Sequence, residues 1–436
     1  MRPTFSVLVS CILLSCIALP ASSQDHASSP YSIIPSPRQI AWQELEFTVF
    51  IHFGINTFTD REWGRKGEDP RIFNPSDLDC RQWVRTAKNA GAGLMIMVAK
   101  HHDGFCLWPS AYTDFSVKSS LWKDGKEDVV AEMANACREE GMKLGIYLSP
   151  WDMNCPLYGT DEYNTYFRNQ LRELLTRYGE IREVWFDGAC GEGPNGKRQV
   201  YDWNGYYKVV RELQPQAVIA ITGPDVRWVG NESGDGNETQ WSVVEDSLGM
   251  RWYPTEVDVS IRPGWFYHPS QDSLVKTPEE LVEIYYRSIG RNSVLLLNIP
   301  PDTRGLIHEN DVWSLRGMKD ILDETFHNNL AEYATVIPLK RELPGSAIYD
   351  LGEPLTFDRL VVQEDIRSGQ KVAAFCLEAL IGDEWKEICK GTTIGYKRIL
   401  RFDPVKARIV RLRITESGDK ASIRFMGLYL SPETKP

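Results

Sequence analysis

A (β/α)8 barrel of the TIM type, followed by a β-sandwich, is the architecture this 436-residue sequence predicts. Three observations carry the prediction. From about residue 47 to 326, short apolar runs alternate with amphipathic stretches of helical period. After about residue 335 the helical period vanishes and short alternating segments with turns replace it. The composition, 42% hydrophobic and 25% charged, is that of a chain that folds around ordinary cores.

The chain opens on "MRPTFSVLVSCILLSCIALPASSQ", with one Arg, an apolar run from Phe5 to Leu19 and small residues at 21–23. This pattern predicts a signal peptide over residues 1–23 and a secreted or periplasmic protein; the run is too short to span a membrane. "LLSC", ending at Cys16, is an imperfect lipoprotein box and offers lipidation as the alternative. The barrel is expected over 31–335. Its strand candidates are 47–54, 94–100, 144–150, 183–188, 217–222, 257–266 and 293–301. Continuous apolar strands separated by helices imply a parallel sheet covered on both faces. No eighth strand stands out, so an irregular barrel is expected. Helix ends are marked by Gly91, Gly141 and Gly179, and Thr277, Pro278 and Glu280 form a capping box with Pro at the first helical position. The β-sandwich is expected over 340–436; its Trp385 and Tyr396 read as buttressing residues or as sugar contacts.

A net charge of −11 argues against nucleic acid or an anionic membrane as partner. Beyond the leader, seven Cys at 80, 106, 137, 155, 190, 376 and 389 contain no C-x-x-C pair. Buried free thiols are the simplest reading, with a Cys376–Cys389 pair as the alternative. The 14 Trp are a hint of sugar stacking.

Barrel chemistry sits at the carboxyl ends of the strands. Those ends carry His52, then His101 and His102 of "KHHDGF", Tyr147 with Trp151, Trp185 with Asp187, Glu232 past the fifth strand, and Trp265 past the sixth. Three of the seven His in the chain fall there. Asp187 ends the apolar run "EVWF", where an unpaired carboxylate would be costly without a function. His101, His102 and Asp103 also read as a metal set.

The segments "FIHFGINTF", "REWG", "AKHHDGFCLWPSAYTDFSV", "GIYLSPWD", "EVWFDGA" and "RWVGNESG" resemble the α-L-fucosidases of glycoside hydrolase family 29. The resemblance covers nearly the whole mature chain, and "WVGNE" with "REWG" is similar to the branch acting on α-1,3/1,4-linked fucose of Lewis-type glycans. It implies a retaining exo-hydrolase acting through a covalent fucosyl-enzyme on a fucosylated oligosaccharide or glycoconjugate, with no cofactor and no metal. By motif it assigns Asp187 as nucleophile and Glu232 as acid/base. It assigns His52, Glu62, Trp63, His101, His102, Tyr147 and Trp185 as fucose contacts. Trp265 is added to these, and Arg227 is a weaker candidate. Glu192, Asp225, Asp235, Glu238, Glu245 and Glu256 compete with Glu232 as loop carboxylates. A broad-specificity fucosidase and a non-catalytic fucose-binding barrel are the alternative functions.

Overall fold

The computed structural model describes residues 29–247, 249–418 and 420–432; the expected signal peptide and Cys16 lie outside the described residues. Ten strands and eight helices build the first unit. They are α1 (Pro37–Gln43), β1 (Phe47–Ile51), α2 (Ile55–Thr59), α3 (Cys80–Asn89), β2 (Leu94–Lys100), α4 (Val129–Glu140), β3 (Lys143–Leu148), α5 (Asp161–Arg177), β4 (Glu183–Phe186) and α6 (Trp203–Leu213). There follow β5 (Val218–Ile221), β6 (Arg227–Trp228), β7 (Val243–Asp246), β8 (Gly249–Trp252), β9 (Thr255–Ser260), α7 (Pro278–Arg287), β10 (Ser293–Asn298) and α8 (Glu309–Phe326).

Eight of these strands form one parallel sheet in the order β5-β4-β3-β2-β1-β10-β9-β6. All seven expected strands are present. The eighth, β6, is two residues long and lies inside what the sequence shows only as the loop "DVRWVGNESG". It joins β9 in parallel, and a single bridge, Ala220 to Val226, links its approach to β5. The barrel is thus closed on one seam by one bridge. The antiparallel hairpin β7–β8 sits between β6 and β9 and has no counterpart among the expected elements.

Burial explains the pattern. Every residue of β1, β2, β9 and β10 is buried, as a two-sided sheet requires. One face packs on the helices; the other fills the barrel with Phe50, Ile96, Val98, Tyr147, Trp185 and Leu296, among others, and with Trp42 of α1. The helix signals act as read. Gly141 caps α4 at φ +70°, and the Thr277–Glu280 box closes both of its hydrogen bonds at the start of α7.

The second sheet is antiparallel, with β11 (Thr335–Pro338), β12 (Ala347–Glu364), β13 (Val372–Ile381), β14 (Glu384–Gly391), β15 (Arg398–Ser417) and β16 (Ile423–Tyr429). Its long strands β12 and β15 shift register along their length, and its inward residues meet in a separate core. Tyr396 is buried with Val243 and Trp252 of the hairpin, where it buttresses the barrel; Arg411 lies 4.3 Å over the Trp385 ring. The seven cysteines among the described residues are all free. No helix among those residues is long and apolar enough to cross a membrane.

After β9 the fully buried Arg262 binds the equally buried Asp311 of α8 through Nε and Nη2 at 2.9–3.1 Å. Asp311→Ala leaves that guanidinium buried with only Asp272 as ion partner. A loss of about 3–5 kcal/mol in urea unfolding of the barrel is expected; an unchanged midpoint would show that the pair contributes nothing net.

Candidate active site

At the carboxyl ends of the strands lies a cavity of about 420 Å³. Its walls bring together all ten residues expected from the sequence: His52, Glu62, Trp63, His101, His102, Tyr147, Trp185, Asp187, Glu232 and Trp265. Arg227 is not among them; its guanidinium donates to the carbonyls of Tyr253 and Trp241 and holds the hairpin.

Asp187 follows β4 directly, with its side chain one-quarter exposed. Its Oδ1 accepts the amide of Ala189 at 2.7 Å, and its Oδ2 accepts the hydroxyl of Tyr147 at 3.1 Å. Tyr147 and Trp185 are register partners on β3 and β4, and their rings stack at 5.2 Å and 26°. Burial, reinforced by the Asp187 charge, pushes the Tyr147 phenol well up, so it is a donor at working pH. The donors to Asp187 are thus a phenol and a backbone amide.

His52 and His102 each keep an acceptor nitrogen. Asn298 Nδ2 donates to the Trp265 carbonyl at 2.7 Å and to Ser260 Oγ at 2.9 Å, so its Oδ1 is the acceptor end. His52 Nδ1, 2.8 Å from that oxygen, must therefore carry the ring proton, which leaves Nε2 with a lone pair. Burial outweighs that hydrogen bond and lowers His52 to about 3. His102 repeats the logic. Ser149 Oγ donates to the Trp151 carbonyl and so accepts from His102 Nδ1 at 2.7 Å. Its Nε2 stands 3.9 Å from Asp187 Oδ2, beyond hydrogen-bond reach. Burial lowers His102 against the pull of Asp187, and lowers His101 well below the ordinary range. Asp103 turns elsewhere: its carboxyl takes the Phe105 amide and the Asn56 side chain, and burial raises it to about 7. Among the described residues no three metal-binding side chains converge.

Glu232 is exposed and accepts the Trp265 indole N–H at 3.3 Å. It stands open at the mouth of the cavity. Its loop is fixed on both sides to β9, through the Val229 amide on the Glu256 carbonyl at 3.0 Å and the Ser233–Val259 bridge. Gly230 and Gly234, at φ +98° and +78°, let the chain bulge between these anchors. Glu62 receives the amides of Trp265 and Phe266 and the Nε2 of His268, whose Nδ1 meets Asp60 at 2.6 Å. Burial opposes charge on His268, but these two carboxylates outweigh it and raise its pKa. Glu62 therefore clamps the loop that carries Trp265.

None of the six competing carboxylates lines the cavity. Asp225 pairs with Arg38 and Arg211, Asp235 with Arg287, and Glu238 with Arg291 and Arg398. Glu256 is no loop residue: it lies in β9, inside the barrel. Sequence reasoning missed Asp258, which lines the cavity almost fully buried, accepts the Trp228 indole N–H at 2.7 Å, and is raised to about 7 by burial. The alternation "TEVDVS" was the available signal, since Glu256, Asp258 and Ser260 share the inward face.

Four carboxyl groups, those of Glu62, Asp187, Glu232 and Asp258, on a cavity walled by tryptophan and histidine at the mouth of a parallel barrel define a glycoside hydrolase. The family model for alpha-L-fucosidase matches residues 18–325. The chain is 40% identical to alpha-L-fucosidase 1 of Arabidopsis thaliana, over 98% of this chain and 93% of that protein. Among solved structures, a glycoside hydrolase 29 family member from an unknown rumen bacterium is 45% identical with a TM-score of 0.87, covering 93% of this chain and 78% of the other. The Ruminococcus gnavus GH29 fucosidase in complex with fucose is 30% identical with a TM-score of 0.85, covering 92% and 96%. The chain belongs to glycoside hydrolase family 29, the α-L-fucosidases.

A histidine held neutral in the fold but free to charge when unfolded makes acid destabilising. The stability that His52 contributes is present above 6.5 and is lost as pH falls toward about 3. The thermal midpoint of His52→Gln should therefore lie closer to wild type at pH 4 to 5 than at pH 7. A gap that widens on acidification would mean that His52 is charged in the fold.

Proposed function

We propose that this α-L-fucosidase releases terminal α-1,3- or α-1,4-linked L-fucose from branched Lewis-type glycans with retention of configuration, outside the cytoplasm, behind its signal segment or anchored through Cys16. The observation that carries the reading is the presence of Asp187 and Glu232 on the walls of one cavity, each held by its own hydrogen bonds. In a retaining hydrolase two such groups work in sequence, about 5–5.5 Å apart. An oxygen of Asp187 attacks the anomeric carbon as the glycosidic bond breaks. The bonding pair goes to the leaving oxygen, which takes its proton from Glu232. Glu232 then removes a proton from water, whose oxygen attacks the same carbon and frees the Asp187 carboxylate.

The lone pairs on His52 and His102 suit the hydroxyls of fucose, which donate to them. The same bonds strengthen as positive charge develops on the sugar ring. Trp63 and Trp228, 60% and 40% exposed, offer flat faces beside the mouth for the sugars that carry the fucose, and this supports a branched substrate.

Asp187→Asn should abolish turnover while fucose still binds, and Glu232→Gln should cost about 10²–10⁴ in rate. Retained turnover in Asp187→Asn would overturn the assignment. A time course on Lewis a, Lewis x and 2′-fucosyllactose should show fucose released first from the two Lewis trisaccharides. Faster cleavage of 2′-fucosyllactose and aryl fucoside would favour the broad-specificity alternative.

A further inference from the structure

Below the cavity floor, the barrel interior holds two carboxyl groups that the reaction does not use. Glu183 of β4 and Glu256 of β9 are both fully buried. Glu183 Oε2 accepts the indole N–H of Trp42 at 2.8 Å, and Glu256 Oε2 accepts the indole N–H of Trp185 at 2.8 Å. Neither Oε1 has a nitrogen or hydroxyl donor. The two carboxyls lie close enough for the charge of one to act on the other. Around them lie Val218, Ala220, Val226 and Val294, and the other carboxyl acting on Glu256 is Asp258, one pleat further along β9.

We propose that Glu256 is a positioning residue for catalysis that sets the Trp185 indole beneath fucose and, through it, Tyr147 and Asp187. The inference rests on the reading that Trp185 is the pocket floor. The contacts run without a break: Glu256 holds the Trp185 N–H, Trp185 stacks on Tyr147, and the Tyr147 hydroxyl holds Asp187 Oδ2. An indole N–H buried without an acceptor is costly, so the ring would move to find one. Burial raises both groups, and at Glu256 the Glu183 charge adds to it, because two ionised carboxylates side by side in this apolar space would repel.

The test is a double-mutant cycle. Glu256→Met keeps volume but removes the acceptor, and kcat should fall tenfold or more, toward the ~10²-fold that ångström-scale misplacement costs. KM should move less. Glu256→Gln, which still accepts from Trp185 and can donate to Glu183, should restore most of the loss. In a Trp185→Phe background, Glu256→Met should have no further effect on kcat. An unchanged kcat in Glu256→Met, or an equal loss in both backgrounds, overturns the proposal. Should Glu256→Met not fold, the Trp185 indole N–H resonance decides: it should shift between wild type and Glu256→Gln, and an unchanged resonance overturns the contact on which the proposal stands. Failure of the underlying reading is distinct, since it would leave Asp187→Asn active, whereas failure of this inference leaves Asp187→Asn inactive.

Discussion

The active site hangs from one strand whose inward face must be polar inside an apolar barrel. Alternation puts Glu256, Asp258 and Ser260 of β9 on that face, and burial obliges each to find partners. Glu256 takes the Trp185 indole and Asp258 takes the Trp228 indole. Ser260 takes Asn298, which orients His52. The backbone of the same strand fixes both sides of the Glu232 loop. The obligation to satisfy three buried polar side chains thereby ties together the floor, the rim and the acid/base candidate.

The electrostatic character of the pocket follows from burial rather than from charge pairing. His52, His101 and His102 are packed too deeply to hold a proton on both nitrogens. Where partners can be traced, a hydroxyl or an amide oxygen accepts from Nδ1 and leaves Nε2 as acceptor. Opposite them, Asp187 receives two donors, the Tyr147 hydroxyl and the Ala189 amide. Among the described residues the one imidazole raised toward its charged form, His268, stands outside the wall and bridges the Asp60 and Glu62 carboxylates that shape the Trp265 loop.

Much of this was legible because strands announce themselves by apolar runs and barrel chemistry collects at their ends. His52, Tyr147, Trp185 and Asp187 each terminate or follow such a run, and the cavity gathers them with the loop residues Glu62, Trp63 and Glu232. What stayed hidden has local physical causes. A two-residue strand such as β6 has no periodicity to read. The hairpin β7–β8, with Glu245 and Asp246 on one arm and Arg251 on the other, looks like polar loop. Glu256 was read as a loop carboxylate and Asp258 was passed over, because a strand buried on both faces is expected to be apolar throughout. Donor identities around Asp187 depend on cross-strand register, which pairs Tyr147 with Trp185 and which no single segment encodes.

The weakly closed seam between β5 and β6 has a bearing on how such an enzyme diversifies. Glu232 emerges beside the place where a single bridge completes the barrel, in a loop whose glycines already carry its bends. Lengthening a flexible loop at such a place costs little, roughly 0.6 kcal/mol per doubling. Asp187 follows β4, which is paired with strands on both sides and admits no such change. Insertions and deletions over evolutionary time would thus accumulate around Glu232 and leave Asp187 in place, so that the reach of the enzyme toward new glycans can change while the floor of its cavity does not.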